Sequence, residues 1–153
     1  MELYFFREVK SCVPKIFLYY ILYMNFQNNW VKSYISNNIW HIDFGKSASE
    51  NDFLSFIEFY QSAYNNIQKT YIIFNALQLE QITIKQCYKL ALMMQNMRPI
   101  HKQKLECFAI IVNSPLILHI LRFVFSIVPP VRPYIIVNNN KDAYTYINDY
   151  SIL

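Results

Sequence analysis

Three short apolar runs constrain this chain more than any other feature. Tyr71-Ile72-Ile73-Phe74-Asn75, Ala109-Ile110-Ile111-Val112-Asn113 and Tyr134-Ile135-Ile136-Val137-Asn138 are each rich in isoleucine and each closed by asparagine. None alternates apolar with polar residues, so each is expected to be buried on both faces, as parallel strands are when helices cover the sheet above and below. A helix-patterned segment follows each run. The echo therefore predicts an α/β sandwich, with Asn75, Asn113 and Asn138 at strand C-termini, where open α/β sheets hold ligands.

The intervening segments supply the rest of that architecture. Residues 31–35 and 39–44 read as an antiparallel hairpin joined at Ser36-Asn37-Asn38. In its second strand Trp40, Ile42 and Phe44 alternate with His41 and Asp43, the period of a half-exposed strand, and Gly45 breaks it. Ser49 and Asp52 mark the start of a helix reaching Lys69, with Phe53, Ile57, Tyr60, Tyr64 and Ile67 as its inner stripe. Thr83 and Gln86 form a capping box for a second helix. Its expected inner side is Ile84, Cys87, Ala91, Met94 and Met97, its outer side Lys85, Lys89 and Asn96, and Pro99 ends or kinks it. After a strand from about Cys107 to Val112, Ser114 is the expected N-cap and Pro115 the first residue of a third helix. Asn139-Asn140 caps a last helix carrying Ala143, Ile147 and Tyr150.

The Pro115 helix is unusual. From Leu116 to Val128 only His119, Arg122 and Ser126 are polar, and they fall on one narrow stripe. A helix apolar over most of its circumference is either deeply buried or faces a second surface: a partner protein, another copy of the chain, or a membrane. Leu118, Leu121 and Phe125 are the expected contact residues of such a face. Residues 1–25 stand apart from the 26–153 domain. Their apolar run from Ile16 to Met24 is nine residues long, against the ~20 that span a bilayer. Acidic Glu2 and Glu8 fit poorly with a cleaved signal peptide. A helix packed on the domain is the first expectation for them, with a short interfacial anchor or sequence upstream of a start at Met24 as alternatives.

Composition closes off several chemistries. A single glycine, Gly45, leaves no Gly-rich phosphate loop and no dinucleotide fingerprint. Cys12, Cys87 and Cys107 are far apart and unpaired in sequence, which suits buried thiols in a reducing, cytoplasmic setting and offers no zinc motif. His41, His101 and His119 lie on different elements without ligand spacing, so neither metal nor cofactor is expected. No nucleophile elbow is present, and the carboxylates of Glu50 and Asp52 are explained by the first turn of a helix. Enzymatic activity is accordingly not expected. Richness in Ile, Asn, Tyr, Phe and Lys suggests a GC-poor genome, such as that of a large DNA virus, whose product would work in the host cytoplasm. From Gln81 to Arg132 seven basic residues face Glu106 alone, while the remainder holds seven basic and nine acidic residues, net −2. A basic half favours anionic partners, and Arg98, Lys102 and Lys104 form its densest patch.

The order strand, strand, helix, then strand–helix three times is similar to the STAS domain, and especially to its SpoIIAA-like branch. The resemblance is carried by Ile39-Trp40-His41-Ile42-Asp43-Phe44, by residues 71–77 with 82–87, by 107–113, and by Val137 through Lys141-Asp142-Ala143-Tyr144-Thr145-Tyr146-Ile147. It implies a mixed, mostly parallel sheet with an N-terminal β-hairpin and about four covering helices. It also implies a non-catalytic interaction module. In the antagonist proteins a serine at the start of the helix after the central strand is phosphorylated. Here Thr83 and Ile84 occupy the Asp-Ser positions, so the switch serine is missing. A second resemblance, over Arg98-Pro99 through Asn113-Ser114-Pro115 to Pro129-Pro130, is to the CRAL-TRIO lipid-transfer fold, where an apolar gate helix follows the strand.

Two functions are therefore expected. The first is protein–protein or self-association through the strand-end residues Asn75, Thr83, Asn113, Ser114 and Asn138 or through the Pro115 helix. The second is binding of lipid or an anionic membrane surface by that helix and the Arg98, Lys102, Lys104 patch. Nucleic acid is not an expected partner, because no stacking platform accompanies the charge.

Overall fold

The computed structural model describes residues 22–152, so the expectations for residues 1–21 and for Cys12 lie outside them. Six strands form one sheet in sequence order. They are β1 (Phe26–Gln27), β2 (Val31–Ser36), β3 (Ile39–Phe44), β4 (Thr70–Asn75), β5 (Leu105–Ile111) and β6 (Tyr134–Val137). β1, β2 and β3 pair antiparallel, and β3 through β6 pair parallel. The three Ile-rich runs thus lie side by side in one direction, as their double-sided apolarity demands.

The β2–β3 hairpin closes on Asn37 and Asn38, at φ 54° and 62°. Two consecutive left-handed residues make the turn whose twist matches the flanking strands, and asparagine tolerates that region better than most side chains. β3 departs from the expected half-exposed strand. His41 is buried, because Tyr34 stacks on it and Tyr144 of the last helix packs over it.

Helices α1 (Glu50–Ala63), α2 (Ile84–Asn96), α3 (Arg98–Lys104), α4 (Pro115–Ile127) and α5 (Asn140–Ile152) complete the fold, with a 3-10 turn at Tyr64–Asn66. Side-chain caps start four of them. Ser49 accepts from the Asp52 amide, Thr83 and Gln86 close a reciprocal box, Ser114 accepts from Ile117, and Asn139 accepts from Asp142. Each such cap is worth about 1 kcal/mol. The expected single helix to Pro99 is instead two: α2 stops before Met97, and Pro99 sits in the first turn of α3, where its missing N–H leaves no bond unmade.

Successive parallel strands joined by right-handed crossovers put all crossing helices on one face. One core accordingly unites Trp40, Ile42, Ile72, Phe108 and Ile110 of the sheet with Phe53, Tyr60 and Tyr64 of the α1 segment, Met93 of α2 and Ile117 of α4. α5 follows the edge strand β6 and returns across the opposite face. There Ile73, Cys107, Ala109 and Ile111 meet Ala143 and Ile147 in a separate cluster.

Candidate functional site

The helices on the four-helix face do not fill the space above the sheet. A cavity of about 200 Å³ remains between β3–β5 and helices α1, α2 and α4, and its lining is almost wholly apolar. Phe74, Phe108 and Ile110 form its floor, Met93 and Met94 of α2 one wall, and Leu121 and Phe125 of α4 another. The void exceeds the ~150 Å³ apolar cavity that stays dry and takes up benzene.

Four polar side chains, Tyr60, His101, Trp30 and Arg132, border this space. The Tyr60 hydroxyl lies 2.9 Å from the Tyr64 hydroxyl and 3.0 Å from His101 Nε2. Burial with no carboxylate beside it pushes the His101 imidazole down to about 4, so it is neutral at physiological pH. The same burial raises the Tyr60 phenol. Trp30, nearly inaccessible to solvent, also lines the cavity, and its indole Nε1–H has no hydrogen-bond partner among the described residues. Arg132 borders the cavity as well, with Nε donating to the Glu106 carbonyl at 3.2 Å and Nη2 3.7 Å from the Glu106 carboxylate.

The outer surfaces of the helices that roof the cavity are apolar too. On α2, Ile84, Tyr88 and Leu92 are exposed, Ile84 by 91%, although Ile84 had been expected inside. It occupies the first helical position, pointing away from the side on which Leu90, Met93 and Met97 pack. On α4 the large exposed apolar residues are Leu116, Phe123 and Ile127, beside the exposed His119, Arg122 and Ser126. Leu118, Leu121 and Phe125, the expected contact face, turn inward and pack half-buried on the core. The polar stripe of His119, Arg122 and Ser126 faces solvent and marks the outer side of the helix. α2, α3 and α4 carry Lys85, Lys89, Arg98, Lys102, Lys104 and Arg122 and no carboxylate.

The other predicted residues do not converge. Asn75 accepts from the Leu77 amide, Thr83 and Ser114 cap their helices, and Asn138 accepts from Asn139. Asn113 is exposed. A polar cleft of about 320 Å³ runs past Asn75, Asp43 and Asn28. Asn28 is already committed, accepting from the Trp30 and Val31 amides and donating to Asp52 and Ser55. In the basic patch, Arg98 donates to the Pro129 carbonyl and Lys104 to that of Tyr64, which leaves Lys102 facing solvent. On the α5 face His41 Nε2 lies 3.2 Å from the Tyr144 hydroxyl, and burial together with the nearby Asp43 raises the Tyr34 phenol. Burial lowers the His41 imidazole while Asp43 pulls it partly back. No cluster among the described residues can hold a metal ion, and no described helix is long and apolar enough to cross a membrane.

The architecture matches a solved one. An uncharacterized protein of the DUF3478 family with a SpoIIAA-like fold, from Shewanella loihica PV-4, superposes with a TM-score of 0.53 over 80% of this chain and 98% of that one, at 12% identity. The fold is SpoIIAA-like. No family model matches the sequence, and no curated protein does. Ile84, which the resemblance sets against the phosphorylated serine of the antagonist proteins, is exposed and carries no hydroxyl. The cavity left no mark in the sequence, since an unfilled space is a property of how several helices meet.

Proposed function

We propose that this protein is a non-catalytic binding module that takes a small apolar molecule of the lipid class into the cavity between sheet and helices. The cavity itself carries the reading. A void of this size lined by Phe, Met, Leu and Ile forfeits dispersion contacts along its whole lining, and an apolar occupant restores them. Lipid binding is favoured over capture of a partner protein because the space is a concave, almost wholly apolar pocket scaled to a small molecule.

The outer faces of α2 and α4 extend the reading to a membrane surface. Apolar side chains over α2, α3 and α4, which carry six cations and no carboxylate of their own, although Lys85 pairs with Glu50 of α1, suit an interface of acyl chains and anionic headgroups. Such a surface is also where an apolar ligand would be collected.

Fluorescence of N-phenyl-1-naphthylamine, which brightens in apolar sites, tests the cavity. Enhancement is expected with the wild type and is expected to be lost in Ala76→Phe, which fills the cavity, with circular dichroism confirming that the variant remains folded. Enhancement that survives the filled cavity removes the proposal. Co-sedimentation with phosphatidylglycerol vesicles tests the outer face. Salt-sensitive binding that Phe123→Glu weakens is expected, and absence of binding at low salt strikes out the membrane part alone.

A further inference from the structure

The polar groups around the cavity are arranged for a ligand of one electrical kind. We infer that the cavity selects an uncharged amphiphile, an aliphatic chain ending in a single hydrogen-bonding oxygen such as an alcohol or aldehyde, and rejects the corresponding carboxylate. This deepens the apolar-ligand reading and rests on it.

The two tryptophans show why an oxygen is called for. The Trp40 indole donates to Ser33 Oγ at 2.7 Å, and Ser33 Oγ in turn donates to the Met24 carbonyl at 2.6 Å. That donor is satisfied within the fold. Trp30 is also buried and lies between the cavity and the polar cleft, lining both, yet its Nε1–H meets no acceptor among the described residues. A buried indole N–H ordinarily finds a partner, because leaving it unmade forfeits its hydration without compensation. An oxygen on the ligand is the missing acceptor.

The charges show why the ligand is neutral. A carboxylate entering an apolar space needs a cation to offset its lost hydration. Among the lining residues the only permanent cation is Arg132, and it shares the Glu106 carboxylate, 3.7 Å away, with Lys69 at 3.2 Å on the outer side. Lys104, close by on α3, is bound to the Tyr64 carbonyl. His101 is held uncharged by its surroundings, and the Tyr60 hydroxyl it meets is a neutral group. The border of the cavity thus offers hydrogen-bonding dipoles and no unpaired positive charge.

The test displaces N-phenyl-1-naphthylamine from the full chain at neutral pH with 1-octanol, octanoate and octane. Octanol is expected to compete roughly tenfold or more better than octanoate, the desolvation of an unpaired carboxylate setting the gap. It is also expected to compete better than octane, and Trp30→Phe is expected to erase that second margin while octane binding persists. If the variant does not fold, the octanol-to-octane comparison on the wild type reads the same donor. Equal competition by octanol and octanoate overturns the selectivity and leaves the apolar-ligand reading intact. Equal competition by octanol and octane removes the role of Trp30. Failure of the dye to bind at all removes both the inference and the reading beneath it.

Discussion

The two faces of the sheet solve the same burial problem with different materials. On the α5 face, Ala109 and Ala143 are both fully buried, and the helix lies directly on Ile73, Cys107 and Ile111. Small residues let the backbones approach, and little space is left between them. On the opposite face the contacts are made by large rings and long side chains: Trp40 over Tyr60, Phe44 edge-on to Phe56, and Phe74 edge-on to Phe108. Bulky groups hold the helices away from the sheet and leave the cavity among them. The comparison teaches that a cavity here follows from side-chain size at the helix–sheet contact, with the same strands serving both sides.

The largest expected difference comes from deleting apolar volume on each face. Ile73→Ala removes a fully buried side chain under α5 and is expected to cost about 3–5 kcal/mol, the upper part of the range for such changes. Leu121→Ala, beside a void that already exists and only half-buried, is expected to cost about 1–2 kcal/mol. Urea unfolding followed by circular dichroism measures both. Equal costs would mean that the two faces are packed alike.

Acidification separates the faces next. Each face buries a histidine against a tyrosine hydroxyl, His101 with Tyr60 and His41 with Tyr144. The His101 imidazole falls from its ordinary 6.5 to about 4, so the unfolded chain binds the proton more readily than the folded one. Stability contributed by the neutral ring is therefore complete above about pH 6.5, declines as the pH falls, and is gone by about pH 4. The loss is expected to approach 3 kcal/mol at most. His41 shifts in the same direction, with Asp43 opposing the burial. NMR titration is expected to show the His41 ring protonating before that of His101 on the way down. The reverse order would mean that the cavity face is wetter than its lining implies.

Much of this contrast was invisible in the sequence, and the reasons are particular. The strands were legible because Ile-rich runs with no polar alternation leave one interpretation. The helix starts were legible because Ser49, Thr83, Ser114 and Asn139 cap through local bonds that need no tertiary knowledge. α4 was the opposite case: its polar stripe of His119, Arg122 and Ser126 marks the outer side, yet Leu118, Leu121 and Phe125, expected as an exposed contact face, turn in. α3 was missed because Pro99 reads as a stop, although the same residue is comfortable in a first turn. The strand-end asparagines, set together by the sequence as a ligand edge, are spent largely on local turns and caps. Trp30 gave no hint of an unmet donor, since the partner it lacks is defined only by everything around it.

A pair of enlargements gives a finer reading of the packing difference. Ala143→Leu forces a larger side chain between α5 and the sheet, where no space exists, and is expected to cost about 1–3 kcal/mol. Ala76→Leu adds the same atoms at a residue lining the cavity and is expected to change stability by less than about 1 kcal/mol, in either direction. Thermal unfolding of the two variants side by side is sufficient. If Ala76→Leu proves as costly as Ala143→Leu, the space beside it is not available to side chains, and its claim to hold a ligand weakens with it.

The smallest expected effect concerns the hydrogen bond that ties α5 to the hairpin. The Tyr144 hydroxyl and His41 Nε2, 3.2 Å apart, link elements 103 residues distant in sequence. Tyr144→Phe keeps the ring and its packing against His41 while deleting one partner of a part-buried bond. The expected cost is about 1 kcal/mol, as for a typical internal hydrogen bond whose remaining partner keeps some access to water. Tyr60→Phe makes the equivalent deletion on the cavity face and takes from His101 Nε2 the hydroxyl 3.0 Å from it. It is expected to cost somewhat more, about 1–3 kcal/mol, because groups facing an apolar void have no water to turn to. A cost for Tyr60→Phe no larger than that for Tyr144→Phe would mean that water reaches the cavity. A wet cavity would favour polar occupants, so this small difference bears directly on what the cavity can bind.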